Sequence, residues 1–218
     1  MVNPLASHAK TKLPAATQGF EHVKRFWDPS YDRWAAKILP GEFFVTRSDE
    51  AITTVLGSCI AACIRDPAVR IGGMNHFMLP EDNSVGRSSW LDGPGALSTR
   101  YGSYAMESLI NELMKLGARR ERLEVKLFGG GRILSSMTDV GQKNITFARH
   151  FLKLEGFKIA AEDVGDVYPR RVVYFPTTGV VMLKRLRALD VVEIAQRETN
   201  YLTTLANKPA DNDVELFD

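Results

Sequence analysis

Only two of the 218 residues are cysteine, and they stand four positions apart, at Cys59 and Cys63. So close a pair cannot build a secreted disulfide framework, and two thiols alone are too few ligands for a structural zinc site. Apolar residues make up 44% of the chain, yet no run approaches the ~20 residues of a membrane span. The polar, proline-containing stretch from Asn3 to Gly19 has no signal-peptide core. An excess of one charge is missing as well. With 28 Lys+Arg against 26 Asp+Glu, neither nucleic-acid binding nor a polybasic membrane anchor is read from the chain. The glycine run Gly129-Gly130-Gly131 lacks the Gly-Lys-Ser/Thr ending of a P-loop and the spacing of a dinucleotide fingerprint, so it is read as a tight turn beside a cleft. These absences leave a chain suited to a reducing cytoplasm, where its thiols stay free.

The length supports one substantial core. Patterning divides it into a flexible arm over residues 1–21, a single domain over 22–207 and an acidic tail over 208–218. Phe26, Trp27, Tyr31 and Trp34 stand among charges; large rings gain most from burial, so they are read as attachments to the core. Strand patterns follow over 43–45, 52–56, 69–78, 123–127, 157–161, 171–175 and 180–186. Helix patterns cover 98–116, 144–154 and 191–205, the first capped by Ser98 and stopped by Gly117. Gly57-Ser58 reads as a turn opening a short helix at Cys59-Ile60-Ala61-Ala62-Cys63-Ile64. Punctuation by Asn, Ser, Gly and Pro over 81–95 marks a long loop, and long loops in small domains are often functional. Alternating strands and helices predict the α/β class, with helices packed on a mixed sheet.

Candidate chemistry concentrates on Cys59 and His76. A helix opening at Cys59 would direct unpaired N–H groups and partial positive charge at the sulfur, favouring thiolate, and the same amides near Ser58 and Cys59 could receive an oxyanion. The ordinary fate of a free cysteine is that of a small buried apolar residue, and this reading is given to Cys63, whose neighbours Ala61, Ala62 and Ile64 are apolar. Among four histidines, His8 lies in the arm, His22 at the domain's edge and His150 on the surface pattern of a helix; His76 sits in glycine-rich, loop-adjacent sequence. An imidazole within reach of the thiol would take its proton and later return one to a leaving amine. A third group must orient the ring, and Thr53, Thr54, Ser58 and Asn75 are local candidates that the residues alone do not rank. Ser58 reads as helix cap or active-site donor, and Asn144 as helix cap or substrate ligand.

The strings Thr53 to Cys59, Asp66-Pro67, Gly72-Gly73-Met74-Asn75-His76-Phe77-Met78-Leu79-Pro80, Tyr101-Gly102 with Ala105-Met106-Glu107, Lys126 to Gly131, and Gly141 with Asn144 resemble signature segments of the chemoreceptor glutamine deamidase CheD family. The likeness runs in consistent order over about residues 22–186. It departs at Glu162-Asp163-Val164-Gly165-Asp166-Val167, where the family often has paired glycines. The resemblance implies a single-domain, three-layer α/β/α-like sandwich with Cys59 as nucleophile, His76 as catalytic histidine and Thr53 as third member, ranked above the other candidates. Ser58, Asn75 and Asn144 remain substrate-binding or oxyanion candidates. It further implies a cytoplasmic enzyme that converts glutamines of methyl-accepting chemotaxis receptors to glutamate and releases ammonia, with no metal or organic cofactor, no nucleic acid and no membrane insertion. Some family members also hydrolyse receptor glutamyl methyl esters, and some lineages pair the enzyme with the phosphatase CheC. The alternative of another class is a non-catalytic adaptor that holds receptor helices or such a phosphatase.

Overall fold

Ile60, Ala61, Ala62, Cys63 and Ile64 are all buried, and the computed structural model places them in a strand, β5 (Ile60–Asp66), instead of the helix expected from the sequence. The reason is cover on both sides. A strand buried on each face reads as a continuous apolar run, which periodicity cannot tell from the start of a buried helix. The structure describes residues 12–79, 96–133 and 140–206. The expected loop over 81–95 and the acidic tail over 208–218 lie outside the described residues.

Around β5 the chain forms β1 (Lys24–Asp28), β2 (Arg33–Lys37), β3 (Phe43–Thr46), β4 (Ala51–Leu56), β6 (Ile71–Asn75), α1 (Ala96–Lys115), β7 (Glu124–Gly129), α2 (Val140–Leu154), β8 (Ile159–Val164), β9 (Arg170–Phe175), β10 (Val180–Arg185) and α3 (Ala188–Ala206). The class is α/β, as expected. The strands divide into two mixed five-stranded sheets, ordered β1-β2-β4-β9-β10 and β3-β6-β5-β7-β8. In the first sheet β2 and β4 are parallel and the other pairs antiparallel; in the second only β7 and β8 are parallel. Helix α1 lies over β3, β5 and β6, while α2 packs on β5 and on α1. Ile52 and Leu56 of β4 and Val172 and Tyr174 of β9 share one core with Ile60, Ile64, Met74 and Leu127 of the second sheet. The second sheet is thus covered by the first sheet on one face and by helices on the other.

Alternation along each strand then decides which residues can meet. On β6, a Cβ at Gly73 would touch Leu109 of α1, and the Asn75 amide nitrogen donates to the Ala105 carbonyl, so these residues face the helix. Gly72, by contrast, abuts Pro176 beyond β9, and His76, in phase with it, reaches β4. On β4, Ile52, Thr54 and Leu56 are in phase, and Ile52 and Leu56 belong to the main core. Ala51 lies in the smaller cluster with Ala35, Val173 and Phe175 on the other face, against which Phe26 and Tyr31 pack. Phe26 and Tyr31 of the N-terminal hairpin are core attachments, as read, whereas Trp27 and Trp34 are cross-strand partners whose rings meet edge-on at 5.8 Å. Of the arm, Phe20 is buried edge-on against Phe43 and Phe44, and the Pro14 carbonyl accepts a bond from Arg25, so packing starts before residue 22.

Candidate active site

Cys59 occupies the bend between β4 and β5, two strands of different sheets, and is wholly buried. Since β5 is a strand, no helix begins at Cys59, and the thiolate-favouring field expected of such a helix is replaced by something more local. The three carbonyls of residues 57–59 are all bound: Gly131 N–H donates to Gly57 at 2.7 Å, Asn144 Nδ2 to Ser58 at 2.8 Å, and Gly130 N–H to Cys59 at 2.7 Å. With the Gly57 and Ser58 carbonyls so held, the Ser58 and Cys59 N–H groups of the same peptides are turned to one acceptor. The glycine run makes this approach possible. A Cβ on Gly129 would lie 2.1 Å from the Cys59 carbonyl oxygen, and Gly129 and Gly130 have φ of +112° and +66°, where side chains are strained.

The acceptor is Glu198 of α3. Its carboxylate takes hydrogen bonds from Gly57 N at 2.9 Å, Ser58 N at 2.8 Å, Ser58 Oγ at 2.6 Å and Cys59 N at 3.3 Å. A Cβ at position 57 would come within 2.8 Å and 2.9 Å of its two oxygens, so glycine is what lets the carboxylate sit there. Cys59 Sγ, a ring nitrogen of His76 and a carboxylate oxygen of Glu198 all lie within 4.8 Å of one another. Burial first, then the Glu198 charge and hydrogen bond, push the Cys59 thiol well above its ordinary range, while its own backbone N–H pulls modestly the other way. The site as it stands holds a neutral thiol.

His76 is buried, and burial pulls its imidazole down to about 3 from 6.5. Its tautomer follows from proton counting. Thr54 Oγ1 lies 2.9 Å from the Ile38 carbonyl, which can only accept, and 2.7 Å from His76 Nδ1. The hydroxyl has one proton, spent on Ile38, so it accepts from Nδ1–H and leaves Nε2 as the basic nitrogen. Nε2 is buried and has no hydrogen-bond partner among the described residues. The orienting contact expected of Thr53 is therefore made by its neighbour. Thr53 points to the opposite face of β4, where its hydroxyl donates to the Val172 carbonyl at 3.0 Å.

The other candidates have well-defined places. Ser58 lies in the cradle, its hydroxyl on Glu198. Asn75 faces α1, accepts from Ala62 N–H and donates to Ala105, so its amide braces β5 against β6 and the helix. Asn144 is inside α2, not at its start; it links the Ser58 carbonyl to the Leu79 N–H and spends both ends of its amide on backbone. Cys63 is buried in the core, with its thiol pushed upward by desolvation. One thiol, one imidazole and one carboxylate form a donor set that zinc accepts, but here the carboxylate oxygens are directed at backbone N–H groups.

The family model described as CheD chemotactic sensory transduction matches residues 78–185. A probable chemoreceptor glutamine deamidase CheD of Hahella chejuensis is 51% identical over 204 residues, 94% of this chain and 95% of that protein. Proteins of the same name from Hydrogenovibrio crunogenus and Saccharophagus degradans are 53% identical over 191 residues and 46% over 222. They cover 87% and 100% of this chain and 97% and 100% of their own lengths. The chain belongs to the CheD family. The family-model match ends at residue 185, before α3, whereas the Saccharophagus protein matches through it.

In this CheD-family chain the residue missed by sequence reasoning is Glu198. Its signal was present: the apolar stripe of α3 runs through Ile194, Tyr201, Leu202 and Leu205, and position 198, one turn from both 194 and 202, carries a carboxylate that is 2% exposed. A charge in the centre of a buried stripe demands a partner.

The buried neutral imidazole has a consequence for stability. In the unfolded chain it titrates near 6.5 and in the folded one near 3, so between these values the unfolded state binds more protons. This contribution is complete above about 6.5 and is lost as pH falls through that value toward 3. Denaturant unfolding at a series of pH values is expected to show a steeper acid loss for the natural chain than for His76→Gln; equal slopes would remove the buried neutral histidine from the account.

Proposed function

We propose that this protein hydrolyses the side-chain amide of glutamine residues on chemotaxis receptors, with Cys59 as nucleophile, His76 as base and acid, and Thr54 as the group that fixes the ring. One observation carries the reading: a thiol and an imidazole within 4.8 Å lie beside backbone N–H groups that already converge on a carboxylate. The names of the full-length relatives support the substrate class.

The thiol proton passes to His76 Nε2 as Sγ attacks the carboxamide carbon, and the C–S bond forms. The carboxamide oxygen becomes an oxyanion held by the N–H groups of Ser58 and Cys59; in related chemistry one such donor is worth about 10²–10³-fold in rate. Collapse breaks the C–N bond while Nε2–H protonates the leaving nitrogen, so ammonia departs and a thioester remains. Water then gives a proton to Nε2 and adds to the thioester carbon. The C–S bond breaks, and the sulfur recovers its proton. One water is consumed, one ammonia is released, and glutamine becomes glutamate. Thr54 holds Nδ1–H throughout, so the ring always offers Nε2 to the reacting atoms.

Mass spectrometry of receptor cytoplasmic fragments is expected to show glutamine-to-glutamate conversion that Cys59→Ala abolishes and Cys63→Ala largely retains. Equal activity of the two variants would contradict the nucleophile, and receptor binding without conversion by the natural chain would favour an adaptor. Losing a buried hydrogen-bond partner costs about 1–3 kcal/mol, so Thr54→Val is expected to slow turnover by about 10–100-fold. Thr53→Val should stay within a few-fold of the natural rate, and Thr54→Ser should restore most of what Thr54→Val loses. The reverse order for positions 53 and 54 would return the orienting role to Thr53.

A further inference from the structure

Glu198 has the chemistry of the product. In the proposed reaction a glutamate side chain is left with one carboxylate oxygen where the oxyanion lay and the other facing the sulfur and the imidazole. The Glu198 carboxylate occupies the same donors, one oxygen on the Ser58 N–H and Oγ and the other on the Gly57 and Cys59 N–H groups, and lies within 4.8 Å of Cys59 Sγ and the His76 ring. It is presented, moreover, from the buried face of a helix. Ile194 and Leu202, one turn before and after it, are buried with it, and Tyr201 is bonded through its hydroxyl to Tyr101 of α1. Between α3 and the strands lies a cavity of about 50 Å³ that reaches Thr54, His76 and Glu198 and is bordered by Ile38, Pro40 and Val55. With α3 seated, the nucleophile is sealed from solvent and no carboxamide can enter the cradle.

We propose that α3 is a built-in product mimic lying on the surface where the substrate helix docks, so that α3 and a receptor helix occupy the site in turn. The proposal rests on the reading of Cys59 as an amide-hydrolysing nucleophile. It gives the substrate a shape: a helix that presents glutamine from an apolar stripe, with apolar side chains four residues before and after it, as Ile194 and Leu202 stand to Glu198. It also accounts for the resting thiol. The carboxylate beside Cys59 raises the barrier to thiolate formation and leaves with α3 when a substrate helix displaces it. A residue serving only to anchor α3 would have no need of the nucleophile's own N–H groups.

The full-length Glu198→Gln variant tests this directly, because it puts a carboxamide into the cradle. The amide at position 198 is expected to be hydrolysed by the same chain: Sγ adds to its carbon, ammonia leaves, and water releases the carboxylate. Peptide mass spectrometry should show the NH₂-to-OH exchange at this position, first order and independent of protein concentration. The same amide should persist when Cys59→Ala is added. A persistent amide in a Cys59-intact chain that still deamidates receptor fragments would overturn the product mimic and leave the proposed function standing. Failure of both conversions would overturn both. In a second arm, Glu198→Ala is expected to lower the KM for a receptor fragment by about tenfold, the effect of relieving a tenfold preference for the closed state, with kcat retained. A fall in kcat at unchanged KM would instead make Glu198 a working part of the catalyst and would overturn the proposal.

Discussion

The backbone of residues 57–59 must satisfy three N–H groups in a buried place, and much of the structure is arranged around that need. Buried N–H groups are costly to leave unpaired. Gly131 and Asn144 take the Gly57 and Ser58 carbonyls from one side, and this fixes the planes of the two peptides that carry the Ser58 and Cys59 N–H groups, so that both converge on the other. The strand order follows the same logic: β5 lies next to β7, whose end carries the glycines, and α2 packs on β5, which brings Asn144 to the bend. A cluster of N–H donors fixed by the fold is what stabilisation of a developing oxyanion requires, because no reorganisation is needed at the moment of reaction.

Such a cradle serves a charge in the ground state as well as in the transition state. Glu198 occupies it here, and burial first, then the Glu198 charge and hydrogen bond, shift the thiol upward where a thiolate was expected from the sequence. The imidazole is shifted downward by the same burial, so the pair rests neutral on both sides. In the proposed mechanism, proton transfer between the two then belongs to the reaction itself and not to the resting protein. The Thr54 hydroxyl, by giving its proton to Ile38, ensures that the bare nitrogen is Nε2.

Much of the site was legible because it is local. Cys59 and His76 were found by residue type and neighbourhood, and α1, α2 and α3 by apolar spacing. What failed had physical causes. The run from Ile60 to Ile64 hid a strand, since cover by a sheet on one face and helices on the other removes the alternation that marks strands. Thr53 and Thr54 are adjacent in sequence and differ only in the face of β4 they occupy, which register against β9 and the second sheet decides. Asn144 could not be ranked because its two partners, Ser58 and Leu79, are remote in sequence. Glu198 was missed for the opposite reason: the local pattern signalled a buried charge, but only tertiary structure supplies its partner, 139 to 141 residues away.

The central claim is that the amides of residues 57–59 hold one carboxyl-type group at a time, that of α3 or that of the substrate. Amide hydrogen exchange on the Cys59→Ala protein, with and without a saturating receptor fragment, measures this without turnover. The account predicts that the fragment raises exchange throughout α3 while Ser58 and Cys59 equivalents in the cradle stay protected, their acceptor having changed. Bound fragment with α3 still protected would contradict it.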